Sequence, residues 1–378
     1  MPDRSPGRVA LDAAASRLHP VARETLLAAV EEGWADPRRL HAEARTARRL
    51  LDEAREIVAT GLSVRPPELS FVPGGWGLPT ALSGLIHARR RVGDVVVASA
   101  VEQEQVLARG ASVVPVDRLG RVDLDQWSYA VRSPGVAAAA LQSANGEVGT
   151  AQPLPRAHAE ARAHGIPLLV DASASLGRLP APVDFDVLVG EATSFAGPPA
   201  VGLLVVREGT RWALPGPRRE AEFGRAEAAP WVPLALAAAE AWQQVAATRE
   251  ADDALARALV DRIRATAVGI VDVEVVGDPV DRLPHVVTFS ALYLDGEAVV
   301  HDLDRRGFAV ASGSACTASV LEPSHVLAAM GALTHGNIRV TLPLPSITPG
   351  LEAQVAAFCT ALPDTVTALR VAHGVEDL

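Results

Sequence analysis

The stretch Ala311-Ser312-Gly313-Ser314-Ala315-Cys316-Thr317-Ala318-Ser319, followed by Leu321-Glu322-Pro323-Ser324-His325-Val326-Leu327, carries the strongest local signal in the chain. Its side chains are small and it offers one thiol, so it reads as a loop that leaves Cys316 accessible and reactive. Cys359, in Val355-Ala356-Ala357-Phe358-Cys359, reads instead as a packing residue on an apolar helix. Upstream of the loop, helices alternate with short apolar runs at 69–72, 95–98, 112–116, 136–141, 166–170, 186–189 and 201–206. Several runs are continuously apolar, as buried strands are, and the alternation predicts an α/β sheet with helices on its faces. A first long helix is expected over 37–60. After the Pro- and Arg-rich stretch 213–230, a helix over 231–247 leads to further strands near 271–276, 285–289 and 337–341.

At 378 residues the chain exceeds the size at which one core usually stops growing. Two domains are expected: a large one over 19–248 and a small one formed by 1–18 and 249–378, which carries the cysteine loop. A net charge of -10 argues against a nucleic-acid surface, which needs clustered positive charge. Cys316 and Cys359, 43 positions apart, suit neither a disulfide framework nor a metal site, and fit a reducing cytoplasm. The polar first eight residues lack a signal-peptide core, and no uninterrupted apolar run approaches membrane-spanning length. The expectation is a cytoplasmic protein with no metal, no membrane and no direct nucleic-acid partner. The chain also has 35 arginines and no lysine.

The Cys316 loop closely resembles the nucleophile loop of cysteine desulfurases, in the class V aminotransferase group. In that family such a cysteine takes sulfur from a cysteine–pyridoxal phosphate adduct and holds it as a persulfide. The likeness extends along the chain through Leu11-Asp12-Ala13-Ala14-Ala15, Asp36-Pro37 to His41, Asn145-Gly146-Glu147-Val148-Gly149, Val170-Asp171-Ala172-Ser173 and Asn337-Ile338-Arg339. It implies a fold type I aminotransferase-like architecture: a large domain around a mostly parallel sheet, a smaller C-terminal α/β domain, and a homodimer with self-complementary contacts.

The same resemblance exposes departures. Before Gly197-Pro198-Pro199, the position matching the Schiff-base lysine holds Ser194, and the preceding histidine position holds Thr193. Serine cannot form an imine, and an arginine would also be no useful amine nucleophile. The turn matching the family's phosphate cradle, Val72-Pro73-Gly74-Gly75-Trp76-Gly77, places Trp76 where a small hydroxyl residue is expected. Trp76 is expected to fill part of the cofactor's volume. Gln103 replaces a ring-stacking histidine, Ala174 replaces a glutamine, and Glu227 in Gly224-Arg225-Ala226-Glu227 would repel a phosphate. Asp171 matches the aspartate that pairs with the pyridine nitrogen, or else caps a turn.

These departures lead to the expectation that the chain takes no pyridoxal phosphate, and they leave three functions open. Sulfur transfer through a persulfide on Cys316, with Arg339 and His325 as contacts for an anion or substrate and a desulfurase or thiolation enzyme as partner, is the reading taken. Against it stand a catalytically silent scaffold for a true desulfurase or sulfur acceptor, and a desulfurase holding pyridoxal phosphate non-covalently. Whether the chain is an enzyme is left open.

Overall fold

The computed structural model describes residues 8–14, 17–32, 35–217, 219–312 and 323–375. Cys316 and the small-residue loop around it lie outside the described residues. The chain enters through β1 (Val9–Ala10), α1 (Pro20–Glu31) and α2 (Ala42–Gly61). It then alternates through β2 (Leu69–Pro73), α3 (Gly77–Arg89), β3 (Val95–Ser99), α4 (Glu104–Leu107), β4 (Ser112–Val114), α5 (Leu124–Val131), β5 (Val136–Gln142) and α6 (Leu154–Ala163). Next come β6 (Leu168–Asp171), β7 (Val187–Glu191) and β8 (Val201–Val206). The long α7 (Val232–Val268) leads to β9 (Val273–Val276), β10 (Val286–Ala291), α8 (Gly296–Arg305), β11 (Phe308–Ala309), α9 (His325–Met330), β12 (Asn337–Thr341) and α10 (Leu351–Ala372).

The strands from β2 to β8 form one seven-stranded sheet in the order β2-β8-β7-β6-β5-β3-β4. The run from β4 to β7 is parallel, and β8 joins antiparallel to both β7 and β2. β5, Val-Ala-Ala-Ala-Ala-Leu-Gln, is buried along its whole length, as a central strand covered on both faces must be. The order reverses at β3, which has β4 on one side and β5 on the other. At such a reversal the connections leave to opposite faces, and a crevice opens at the carboxyl ends of the strands.

Strand positions expected from apolar runs agree with the observed ones to within a few residues. Two helix expectations need correction. The first long helix begins at Ala42, with His41 as N-cap accepting the Ala44 N–H, because residues 37–40 turn around Asp36 and its contacts to Arg38. The helix expected over 231–247 continues to Val268. In its charged middle, Arg249 to Asp253, the buried Asp252 accepts the Thr248 hydroxyl and both the N–H and hydroxyl of Ser346. Trp242 and Val245 of α7 sit in the core of the large sheet, whereas Leu259, Val260 and Ile263 join a second core with β10, β12 and α10. In that second core β9, β10 and β12 make an antiparallel sheet. β1 pairs with β11, so the start of the chain returns to the C-terminal region.

By length and composition α10 is apolar enough to cross a membrane. Its Leu351, Val355, Phe358, Leu362 and Val366 are buried in the second core. Cys359 packs against the same core, as expected for a packing residue.

One buried ion pair ties α2 to the loop before α7. Arg55 donates to both carboxylate oxygens of Glu222 at 2.7 and 2.9 Å, and Glu222 also accepts the Phe71 N–H. Removing one member of such a pair leaves an uncompensated charge in the interior. Glu222→Ala is expected to lower unfolding free energy by about 3–5 kcal/mol, measured by urea denaturation, with Glu222→Gln losing less because one acceptor remains.

Candidate functional site

The carboxyl ends of β3, β5, β6 and β7 deliver polar groups into a cavity of about 550 Å3, closed on its far side by residues of β12 and the segment before α9. β3 runs into Glu102 and Gln103, β5 ends at Gln142 before Asn145, β6 ends at Asp171, and β7 leads into the 3-10 turn carrying Ser194. Arg339 on β12, with Ser324 and His325 at the start of α9, completes the opposite wall.

Asp171 lies on the cavity floor. One carboxylate oxygen accepts the Ser173 N–H at 2.9 Å and the other takes the Gln103 side-chain amide. Burial raises its carboxyl above the usual range, opposed by these donors. The turn-capping role expected as one alternative is therefore present, and the carboxylate still borders the cavity. Glu102 is more deeply enclosed. It accepts the Gln142 N–H at 3.0 Å and the Ser99 hydroxyl at 3.1 Å, and burial pushes its carboxyl up to about 8, with the charge of Asp171 adding to the rise. At neutral pH this group holds a proton. Burial also raises Glu147, countered by the Ser324 hydroxyl and the positive charge of Arg339.

His325 donates from Nε2 to the Glu102 carbonyl at 2.9 Å, since a carbonyl can only accept. Arg339 lies 4.0 Å from Asp12, and its backbone exchanges both hydrogen bonds with Ala311. On the opposite side Arg178 and His285 line the cavity; burial first, and the Arg178 charge second, lower His285 well below its usual value, so its ring is neutral. Ser194 is buried and donates its hydroxyl to the Glu191 carbonyl at 2.7 Å, with Thr193 beside it in the same turn. Ala174 borders the cavity.

Trp76 does not fill this space. It is 63% exposed and lines a separate, largely apolar groove of about 680 Å3 together with Trp231 and Leu214. Residue 76 is the N-cap of α3, with its backbone already in the helical region. Glu227 borders the same groove and is paired with Arg219. Cys316 falls outside the described residues, but Ala311 on one side of its segment is bonded to Arg339, and Pro323 on the other side lines the cavity.

Glu102, Glu147, Arg178 and His285 were not singled out as site residues from sequence. Glu147 stands inside the Asn145–Gly149 segment and Glu102 next to Gln103, so proximity to those residues was the available signal. Arg178 and His285 carry no such mark.

The sequence profile of the class V aminotransferases matches residues 9–344. The chain is 34% identical over 95% of its length to an IscS-like cysteine desulfurase from Mycobacterium tuberculosis, covering 96% of that protein. It is 31% identical to the cysteine desulfurase IscS of Dictyoglomus turgidum over 88% of each chain. This chain belongs to the class V aminotransferase family, among its cysteine desulfurase homologues. Its fold matches a solved NifS-like protein with a TM-score of 0.85 over 96% of this chain and 100% of that one, at 22% identity. A NifS-like protein from Rickettsia africae superposes with a TM-score of 0.81 over 95% and 99%, at 19% identity. The fold expected from sequence, fold type I with a mostly parallel central sheet, is the observed one.

These relatives correct the expectation that the chain takes no cofactor. Cysteine desulfurases are pyridoxal phosphate enzymes, and membership in their family makes that cofactor the ligand to expect in the cavity. The absent lysine bears on how a cofactor is held, which is a narrower matter than whether one is held. The cavity fits the ring end of the group: Asp171 could face a pyridine nitrogen, and Asn145 and Arg339 stand on the walls. Ser194 also lines the cavity, and its hydroxyl forms no imine.

The raised Glu102 carboxyl links pH to stability. Between its ordinary 4.5 and about 8, the folded protein keeps a proton that the unfolded chain has released, so stability falls as pH rises through this window. Denaturant midpoints measured from pH 5 to pH 8 are expected to decline for the wild type. Glu102→Gln should flatten that decline by up to about 1.4 kcal/mol per pH unit.

Proposed function

We propose that this chain acts in sulfur transfer, with Cys316 as the residue that carries sulfur as a persulfide and with no covalent link between the protein's side chains and pyridoxal phosphate. The observation that supports this most directly is the cavity itself. Of the described residues that flank the Cys316 segment, Ala311 is bonded to Arg339 and Pro323 stands in the wall of a pocket with anion-binding and proton-holding groups, which supports the reading. Family membership supplies the chemical class, since the relatives are named cysteine desulfurases. Pyridoxal phosphate, when bound, supplies an electron sink for an amino acid substrate.

The chain's own residues have definable tasks. Arg339 offers a guanidinium to an anionic group, and His325 is oriented by its bond to the Glu102 carbonyl. Asp171, steadied by Ser173 and Gln103, presents negative charge to a cation at the floor. In the transfer step the Cys316 thiolate attacks the outer sulfur of a donor persulfide. A new sulfur–sulfur bond forms on Cys316, the donor's sulfur–sulfur bond breaks, and the donor leaves as a thiolate. Two-electron exchange of this kind needs no outside oxidant. An ordinary thiol, with a pKa of about 8.5, is only a few per cent thiolate at neutral pH, so a nearby cation such as Arg339 would raise the reactive fraction.

A second reading, a binding subunit for a true desulfurase or a sulfur acceptor, is favoured by the open apolar groove with its exposed Trp76 and Trp231. Pairing into a homodimer accords with both readings, as does a reducing, cytoplasmic setting.

Intact-protein mass spectrometry after incubation with a working desulfurase and cysteine separates the two. Gain of one or more sulfur atoms by the wild type and none by Cys316→Ser is the expected result; no gain by either protein would favour the binding subunit. Borohydride reduction in the presence of pyridoxal phosphate is expected to leave no internal peptide carrying the cofactor's mass, because the sequence has no lysine to trap.

A further inference from the structure

His285 immediately precedes β10, and Thr341 ends β12. Both line the cavity, at 6% and 3% exposure, and among the described residues neither His285 Nδ1 nor Thr341 Oγ1 meets a hydrogen-bond partner. The small sheet brings the two together. Thr341 lies directly opposite Val286 in the antiparallel pairing of β10 and β12, and the Leu342 N–H donates to the His285 carbonyl at 2.8 Å. Residues opposite each other in such a pair share a face, and Val286 borders the cavity as Thr341 does. Neither side chain has a part in the floor, where the Asp171 oxygens take the Ser173 N–H and the Gln103 amide.

Buried polar atoms are paired almost without exception, because the hydrogen bonds given up to water must be replaced. Two unpaired atoms on neighbouring strands of one cavity wall are a built place for the polar atoms of a ligand. Their chemistry narrows the ligand. A neutral imidazole carries one N–H, and a hydroxyl can donate its proton. The His285 ring is neutral, through burial first and the positive charge of Arg178 second. Arg178 lines the same cavity at 2% exposure. Two donors beside a buried cation match a group with two acceptor oxygens and a negative charge. An uncharged carbonyl would accept the same donors but gain less from the Arg178 charge, which acts strongly where water is excluded. The acid Glu147, whose Oε1 is also without a partner, is engaged elsewhere, with the Ser324 hydroxyl and the charges of Arg339 and His325.

We propose that His285 and Thr341, beside Arg178, form a subsite of the cavity that binds a small carboxylate. This subsite is additional to the anion contact assigned to Arg339, which lies two residues earlier on β12 and opposite Thr288 rather than Val286. It stands independently of whether Cys316 carries sulfur.

Fluorine NMR of the full-length protein tests this with two probes of similar shape, trifluoroacetate and the uncharged trifluoroacetamide. The proteins compared are the wild type, Thr341→Val, which removes the hydroxyl at nearly constant shape, Thr341→Ser, which keeps it, and His285→Phe. Saturable broadening of the trifluoroacetate signal is expected with the wild type and Thr341→Ser. Affinity should fall about tenfold or more in Thr341→Val and in His285→Phe. Trifluoroacetamide should bind the wild type about tenfold or more weakly than trifluoroacetate does. Where circular dichroism shows His285→Phe to be misfolded, the two Thr341 variants decide alone. Equal trifluoroacetate affinity in the wild type and Thr341→Val would place the carboxylate elsewhere in the cavity and overturn the subsite. Equal affinity for the acid and the amide would overturn its preference for an anion. No saturable binding of trifluoroacetate by the wild type would mean that the two atoms are served by water alone, and would overturn the inference outright. Sulfur uptake enters none of these readouts, so the sulfur-transfer reading stands or falls separately.

Discussion

The direction of the strands is the constraint on which the rest depends. Because β3, β5, β6 and β7 run parallel, their carboxyl ends open on the same edge of the sheet, and every residue that follows a strand is delivered to one crevice. Glu102, Gln142, Asp171 and Ser194 come from four different segments and have no local relation in sequence. Parallel pairing alone brings them together. The antiparallel turn-back at β8 then sets Gly202 beside Glu191, which fixes where that carboxylate can lie.

Burial at this edge gives the site its electrostatic character. Glu102, Glu147 and Asp171, which line the cavity, and Glu191 beside it all have carboxyls raised mainly by desolvation. Glu102, Asp171 and Glu191 are nonetheless supplied with donors: the Gln142 and Gly75 N–H groups, the Gln103 amide and the Ser99 hydroxyl. An acid without such partners would be far more costly to enclose. The positive groups, Arg178 and Arg339, stand on the walls, and the result is a cavity of mixed charge suited to small polar ligands.

Mechanical coherence comes from α7. One unbroken helix contributes Trp242 and Val245 to the core of the large sheet and Leu259 and Ile263 to the second core. The Asp252 contacts to Ser346 fasten the segment before α10 to the middle of that helix. Arg339 on β12 therefore faces the sheet edge from a unit anchored by the same helix. The sequence reading ended this helix at 247, whereas the helix runs on to Val268, with the buried Asp252 bonded to Thr248 and Ser346.

Much of the fold was legible because it follows from periodicity. The continuous apolar runs at β5 and β8 announce buried strands wherever they occur, and the loop, Asp171 and Arg339 segments carry the family likeness in their residue types. Trp76 was misjudged for the opposite reason: a matching position in a turn does not say which way an indole points, and here it points to solvent and a neighbouring groove. Residue identity by itself determined the α/β architecture, the family, and the lack of any lysine able to form an imine, since these depend on what the side chains are. Tertiary structure alone decided that Glu191 meets Gly75 across 116 positions of chain, that Glu102 keeps its proton, and that His285 loses one, since these depend on which groups are buried together.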